Sequence, residues 1–167
     1  GLLTPGGGGG TCLGYVLVRE REAIKRQTGY MTQRFGLYED LTIRENLDFI
    51  ARLYELPNRR DAVDRTLERL GLTSRQKQLA GALSGGQRKL LEMARAMMAD
   101  PRLIMLDEPM AGVNPALTQS LLGHVKRLRS EGITVMFVEH DTDVVQDISD
   151  WVVVMAEGSV IAEGTPR

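Results

Sequence analysis

One stretch, residues 83–108, constrains the fold of this chain more than any other. It begins with Leu-Ser-Gly-Gly-Gln and ends with Leu-Ile-Met-Leu-Asp-Glu at 103–108, directly before Pro109. Between the two, apolar side chains recur at the spacing of one helical face: Leu90, Leu91, Ala94, Met97 and Met98. The opposite face of this predicted helix would carry the charged residues Arg88, Lys89, Glu92 and Arg95. Two glycines at a helix entrance leave N–H groups uncovered at the positive end of the helix dipole, which favours an anion such as phosphate.

The end of the stretch predicts a strand followed by two acids. Asp100 precedes Pro101 and should stop the helix, because a residue before proline avoids the α region. Residues 103–106 are an unbroken apolar run, which predicts a strand buried on both faces. Asp107 and Glu108 follow at its carboxyl end, the edge where ligands bind in open α/β sheets.

The order and spacing of these features point to one family. A single Ser-Gly-Gly is usually a turn, and a single Asp-Glu after a strand usually lies in a solvated loop. Together, residues 83–87, a helix and residues 103–109 closely resemble the signature motif and the Walker B motif of the ATP-binding cassette (ABC) ATPases. The resemblance implies an α/β, P-loop NTPase-like fold: a mostly parallel sheet flanked by helices, with an inserted helical subdomain and a C-terminal β-hairpin.

The resemblance also implies how the chain is divided. A length of 167 residues fits a single domain. Residues 1–36 and 101–167 would form the catalytic core, and residues 37–100 the helical subdomain with the signature motif. Helix signals support this division: a capping box of Thr42 and Glu45, a start at Asn58 and an ending at Gly71. Asn114 and Pro115 suit the start of a further helix.

Composition limits the function classes. The chain has 21 basic and 22 acidic side chains, a balance that does not indicate nucleic-acid binding. The single cysteine, Cys12, cannot form an internal disulfide and suits a reducing compartment. No apolar run approaches the roughly 20 residues of a membrane span. Any membrane role must then come through a partner, and the resemblance implies a cytoplasmic protein that lies peripherally on the inner face of the cell membrane.

The opening segment departs from the family. Five glycines at Gly6–Gly10 suggest a phosphate loop, but Walker A needs a Gly-Lys pair, and none occurs in this sequence. The run is instead predicted to be a hairpin turn or a linker. We expect a family member seen as a fragment whose Walker A segment is missing, so that the chain alone should be inactive.

Two further strands are predicted to end in polar residues. Gln33 follows a short strand that begins at Gly29, and Glu139 and His140 follow an apolar strand at 134–138. The carboxyl ends of parallel strands meet at one sheet edge, where Gln33, Glu108 and His140 would gather. The resemblance matches Gln33 to the family's Q-loop and His140 to its H-loop.

The resemblance then implies roles for the residues of this edge. Asp107 would hold Mg²⁺, and Glu108 would act on the attacking water as general base or positioner. His140 would contact the γ-phosphate of ATP. Gln33 would sense that phosphate and contact the metal. ATP and Mg²⁺ are thus the implied cofactors, and Glu108, His140 and Gln33 the implied catalytic residues.

The signature motif implies a partner. Ser84, Gly85, Gly86 and Gln87 are the implied nucleotide-binding residues, and they would cap the γ-phosphate of ATP bound by a second ABC ATPase subunit. The functional unit would be a homo- or heterodimer joined to transmembrane permease subunits. The family usually has aspartate where Asn114 stands, which weakens the expected coupling between two ATP sites.

Two other functions stay open at this point. The chain could be a non-catalytic module that lends its signature motif to a partner, or a soluble ABC protein of DNA repair or translation. The transported substrate is also open. Residues 30–54 resemble cassettes of multidrug or ABC-2-type exporters, whereas residues 110–115 and 139–166 are more similar to branched-chain amino-acid importers.

Overall fold

The computed structural model describes residues 6–33 and 36–166. Seven strands and six α-helices lie in these ranges. In chain order they are β1 (Thr11–Cys12), β2 (Tyr15–Val16), α1 (Arg21–Arg26), β3 (Thr28–Met31), α2 (Ile43–Leu53), α3 (Arg59–Arg69), α4 (Gly85–Met97), β4 (Leu103–Asp107), α5 (Pro115–Ser130), β5 (Thr134–Val138), α6 (Thr142–Ile148), β6 (Val152–Ala156) and β7 (Ser159–Gly164).

The central sheet has three parallel strands in the order β3-β4-β5. Met31 lies opposite Leu106, and Leu106 lies opposite Phe137, so the carboxyl ends of the strands are aligned. Helix α4 packs on β3 and helix α5 packs on β5. At Gly29 the approach is so close that a Cβ atom would lie 2.1 Å from the main-chain oxygen of Ala96 in α4. Only glycine fits this contact between the sheet and α4.

The helix starts agree with the predicted caps. Thr42 and Glu45 form a reciprocal capping box at α2, and Asn114 accepts a hydrogen bond from the main-chain nitrogen of Leu117, with proline at the first position of α5. Helix α3 begins directly after Asn58, although that side chain makes no cap hydrogen bond. Gly71 has a positive φ just past the end of α3. The local sequence therefore determines where these helices begin and end.

Of the two apolar strands, β4 is buried on one face only and β5 has no fully buried residue. In β4, Ile104 and Leu106 are buried, whereas Met105 is half-buried. In β5, Met136 is 48% exposed and Val138 is 56% exposed. The prediction that the strand at 103–106 is buried on both faces is wrong, because α4 packs on the side of Gly29 and its register partner Ile104 and leaves Met105, on the other side, half-buried. Tyr30, Met105 and Met136 are register partners on the other side.

The predicted polar face of α4 is also wrong in part. Lys89 and Glu92 were expected on the outside of the helix, but they are 4% and 5% exposed. Helix α4 contacts β3, α2, α3 and α5, so it is enclosed on several sides. The buried residues Met93 and Ala96 lie on the same side as the charged ones. A helix in the centre of a protein has little surface left for a solvated face.

The ends of the chain form two small hairpins. Strands β6 and β7 are antiparallel, which confirms the predicted C-terminal hairpin. Near the start, β1 and β2 pair around Leu13 and Gly14, so the glycines from Gly6 to Gly10 precede this hairpin and do not form its turn. Residues 1–5 of the opening segment lie outside the described residues.

The sheet, its flanking helices and the hairpin agree with the predicted fold class. Helices α2, α3 and α4 all lie in residues 37–100. The division into a core of 1–36 and 101–167 and a helical subdomain of 37–100 stays a prediction. No helix in the described ranges is long and apolar enough to cross a membrane.

Candidate functional site

Three polar side chains meet at the carboxyl edge of the central sheet. The Nε2 of Gln33 donates a 2.7 Å hydrogen bond to Oε2 of Glu108, and Nδ1 of His140 lies 4.0 Å from Oε1 of the same carboxylate. Each residue follows one of the three strands by one or two positions. The side chain of Glu108 is 29% exposed and that of His140 is 77% exposed. A carboxylate therefore lies between an amide and an imidazole at a surface that water and a ligand can reach.

The backbone of Glu108 has an unusual conformation. Its φ is +46°, in the left-handed region, which costs a non-glycine residue about 1–2 kcal/mol. Its N–H donates to the carbonyl of Val138 at 3.0 Å. Its own carbonyl accepts from the N–H of Ala111 at 3.2 Å and from Nζ of Lys89 at 3.1 Å. These bonds hold the main chain in a conformation that directs the carboxylate toward Gln33.

Sequence reasoning gave no role to Lys89 or to Glu139. Burial lowers the pKa of the Lys89 ammonium, while the nearby carboxylates of Glu139, Glu108, Glu92 and Asp107 act in the opposite direction and favour the charged form. The carboxylate of Glu139 accepts a 2.9 Å hydrogen bond from the main-chain nitrogen of Met110. One feature of the sequence could have indicated that Lys89 is buried: apolar residues occur on both sides of α4, which is typical of a helix enclosed by other elements.

The signature residues lie at the first turn of α4. Ser84 Oγ accepts from the N–H of Gln87, and the Gln87 side chain accepts from the N–H of Ser84 at 3.0 Å, which makes a capping box. Gly85 is exposed. Gly86 is buried, and a Cβ there would lie 1.8 Å from Cδ2 of Leu117 in α5. Packing against α5 therefore explains the second glycine, whereas Ser84 and Gly85 face solvent.

The structure does not bring residues 84–87 into the Gln33–Glu108–His140 cluster. Their hydrogen bonds stay within the first turns of α4, and their close neighbours belong to α5 and the loop before it. Helix α4 links the two places, because Lys89 lies little more than one turn beyond Gly85 and reaches Glu108. Two distinct surfaces of one molecule are therefore available to a ligand.

The oxygen donors of the edge suit a magnesium ion that arrives with a phosphate ligand. The described part of the chain has no group of three or more His, Cys, Asp or Glu residues arranged to hold a metal. Mg²⁺ needs only one or two protein carboxylates, since water and substrate phosphates complete its coordination. Asp107 ends β4, and the amide of Gln33 uses its nitrogen toward Glu108, which leaves its oxygen as the donor type that Mg²⁺ prefers.

Comparison with known proteins identifies the family. A sequence model described as "ABC transporter" matches residues 2–111. The chain belongs to the ABC transporter family. Its relatives include YbhF of Escherichia coli (strain K12), a probable multidrug ABC transporter ATP-binding protein, which is 36% identical over 169 residues that cover 100% of this chain and 29% of YbhF.

A second relative of this ABC protein has a name that refers to branched-chain amino acid transport. The high-affinity branched-chain amino acid transport ATP-binding protein BraF of Pseudomonas aeruginosa is 39% identical over 153 residues, covering 81% of this chain and 60% of BraF. The chain thus spans 29% of the length of YbhF and 60% of the length of BraF.

Solved structures of ABC proteins share the fold. The ADP conformation of MJ1267, an ATP-binding cassette of an ABC transporter, superposes with a TM-score of 0.74 at 35% identity, covering 86% of this chain and 63% of that chain. The P-loop NTPase-like fold class predicted from the signature and Walker B motifs is therefore confirmed.

Proposed function

We propose that this chain is the part of an ABC transporter ATP-binding subunit that carries the signature motif and the residues for ATP hydrolysis, Gln33, Glu108 and His140, at the carboxyl edge of the central sheet. The observation that carries the proposal is that Gln33 and His140 lie against the Glu108 carboxylate at the carboxyl end of β4. The phosphate cradle of Walker A, whose Gly-Lys pair this sequence lacks, comes in this proposal from polypeptide outside these 167 residues.

In the proposed reaction, Glu108 acts as general base. A water molecule attacks the γ-phosphorus of ATP, its proton passes to the Glu108 carboxylate, and the bond from phosphorus to the leaving oxygen of ADP breaks. The hydrogen bond from Gln33 holds the carboxylate in one orientation, so that the base does not have to be ordered during the reaction. His140 contacts the γ-phosphate from the other side of the base.

Asp107, together with the amide oxygen of Gln33, is the proposed holder of Mg²⁺. When bound, the ion neutralises the charge that develops on the phosphate oxygens. A carboxylate and an amide oxygen are both hard donors, which fits this metal. Asp107 is half-buried at the end of β4, directly before Glu108 in the chain.

Ser84, Gly85, Gly86 and Gln87 serve a second subunit in this proposal. The exposed N-terminus of α4 presents N–H groups and the positive end of the helix dipole to the γ-phosphate of ATP held by the partner. The working unit is then a dimer with ATP between the subunits. It powers transport through membrane permease subunits from a peripheral position on the inner face of the membrane.

The alternative is a non-catalytic module that only lends its signature motif. The absence of a Gly-Lys pair favours it, because phosphate cradling and the lysine charge provide much of the ATP affinity of P-loop proteins. The two proposals differ in whether Glu108 is needed for turnover by the full-length gene product.

Titration calorimetry and a mixing assay test the proposal. Mg-ATP added to the 167-residue chain alone should give weak binding or none, and a micromolar Kd would contradict the need for an outside phosphate cradle. Mixed with a homologous cassette whose own signature serine is mutated, the chain should restore ATP hydrolysis. The variant Ser84→Arg should lose this effect and the surface control Ser74→Arg should keep it; equal activity of the two variants would overturn the proposed role of the signature motif.

A further inference from the structure

Helix α4 carries charged side chains into the interior of the protein. Lys89 is 4% exposed and Glu92 is 5% exposed. Lysine and glutamate are almost never buried to this degree unless they are paired, because the loss of hydration costs several kcal/mol per ion. The contacts of Lys89 and Glu92 therefore indicate which segments of the protein these side chains stabilise.

Lys89 reaches the main chain of the residue proposed as general base. Its Nζ lies 3.1 Å from the carbonyl oxygen of Glu108, across 19 positions of sequence. The same carbonyl accepts from Ala111, and Glu139 holds the N–H of Met110 from the side of β5. The turn at 108–111 is thus held from two sides: by the buried ammonium of Lys89 on α4 and by the half-buried carboxylate of Glu139, which follows β5.

The neighbouring charges of α4 hold the other loop of the site. Glu92 Oε1 accepts a 2.6 Å hydrogen bond from the N–H of Gly36, and Nη1 of Arg95 donates to the carbonyl of Gly36 at 2.5 Å. Gly36 lies three positions after Gln33. One helix therefore holds the main chain on both sides of the Gln33–Glu108 contact, and the same helix begins with the signature motif.

We infer that Lys89 is a positioning residue for ATP hydrolysis: its hydrogen bond to the Glu108 carbonyl fixes the left-handed turn that aims the Glu108 carboxylate at Gln33 and His140. The inference rests on the proposed function, since it takes Glu108 as the base. Lys89 does not touch the substrate in this account. It acts through the backbone of Glu108.

The geometry explains why an uncharged side chain would not do the same. The left-handed conformation of Glu108 is unfavourable for a residue with a Cβ, and it persists only where surrounding bonds hold it. An ammonium makes a stronger hydrogen bond to a carbonyl than a neutral donor does. Without it, the turn relaxes and the carboxylate loses its fixed distance to Gln33.

Steady-state kinetics of the full-length gene product test the inference. Lys89→Met should lower kcat on the order of 10- to 100-fold, the size of effect that follows from a misplaced catalytic group. KM for Mg-ATP should stay unchanged, because Lys89 does not contact the nucleotide. Lys89→Arg, which keeps a charged donor, should recover most of kcat. The matched control is Lys126→Met, which removes a lysine paired with Asp147 at the surface.

A purely structural role for Lys89 predicts a different pattern. It would lower the melting temperature and the amount of folded enzyme, with kcat per folded molecule unchanged in Lys89→Met. That result would overturn the inference. Lys89→Gln is made in parallel in case the methionine variant does not fold, and the same fall in kcat is expected from it.

Hydrogen exchange on the 167-residue chain separates this inference from the proposed function. The amide of Ala111 donates to the same carbonyl as Lys89, so its exchange should become faster in Lys89→Met and not in Lys126→Met. If the wild-type gene product has no Mg-ATPase activity, the proposed function fails, but the exchange rate of Ala111 still tests whether Lys89 fixes the turn. An unchanged exchange rate at Ala111 in Lys89→Met would overturn the role of Lys89 in fixing the turn.

Discussion

The amide nitrogen of Gln33 lies 2.7 Å from Oε2 of Glu108, although 75 positions separate the two residues in the chain. The parallel register of β3 and β4 brings them together, because Met31 and Leu106 are paired just before them. Two loops that follow neighbouring strands thus share one hydrogen bond. The position of the carboxylate depends on both loops.

Changing Gln33 to an acid should shift the pH dependence of ATP hydrolysis. Gln33→Glu would place two carboxylates at this contact, and like charges raise the pKa of such a pair. A base must be unprotonated to accept a proton, so the acid limb of the kcat profile should move to higher pH. Gln33→Leu should lower kcat on the order of tenfold or more and move the limb less, because it removes a hydrogen-bond donor without adding a charge. Identical profiles for the two variants would contradict the proposed contact.

Gly29→Ala should destabilise the protein strongly. The new Cβ would lie 2.1 Å from the main-chain oxygen of Ala96, which has no side-chain freedom to move away. Overpacking of this kind costs about 1–3 kcal/mol or more in the free energy of unfolding. Urea titration followed by circular dichroism measures the change.

Gly123→Ala is the matched control for that prediction. Gly123 lies in α5, and nothing lies within 4 Å of the position of its added Cβ. Alanine in a helix is more favourable than glycine, so this variant should be as stable as the wild type or more stable by up to about 1 kcal/mol. Equal losses at both glycines would mean that β3 and α4 are not packed as described.

Gly86→Ala tests the packing of the signature helix on α5. A Cβ at this position would overlap the Leu117 side chain, whereas at Gly85 the nearest atom is 4.0 Å away. We expect Gly86→Ala to lose about 1–3 kcal/mol of stability relative to Gly85→Ala. Leu117→Ala should recover part of that loss in the double variant. If the stability losses of Gly86→Ala and Leu117→Ala are additive in the double variant, the two residues are not in contact.

His124 should contribute a loss of stability at acid pH. Burial, and then the charge of Arg127, lower the pKa of the His124 imidazole below its usual value of about 6.5. The unfolded chain therefore binds more protons than the folded one between the lowered pKa and about 6.5. The free energy of unfolding should fall as the pH decreases through this window. The loss should be smaller in His124→Gln, and equal losses in urea titrations of the two proteins would refute the assignment.

Local patterns in the sequence predicted the parts of the fold that depend on neighbouring residues. The capping box of Thr42 and Glu45 and the pair Asn114-Pro115 place helix starts through bonds within a few positions. The order of Gln33, Glu108 and His140 after three apolar runs was sufficient to predict a shared edge, because parallel strands end on the same side.

What the sequence did not predict depends on how elements enclose one another. Periodicity placed Lys89 and Glu92 on a polar surface, but the packing of α4 among four neighbouring elements buries both. The apolar run of β5 predicted burial, yet Met136 and Val138 are exposed because one side of the sheet has no cover in the described ranges. Close contacts such as Gly86 with Leu117 have no local signal either.

The chemistry of Glu108 is the central claim, and single-turnover hydrolysis of Mg-ATP by the full-length gene product tests it most directly. Glu108→Gln keeps the shape of the side chain and removes the base, whereas Glu163→Gln makes the same change on an exposed hairpin strand. We predict that Glu108→Gln binds Mg-ATP as the wild type does but cleaves it about 100-fold more slowly or worse, with Glu163→Gln unaffected. Cleavage by Glu108→Gln at the wild-type rate would contradict the account.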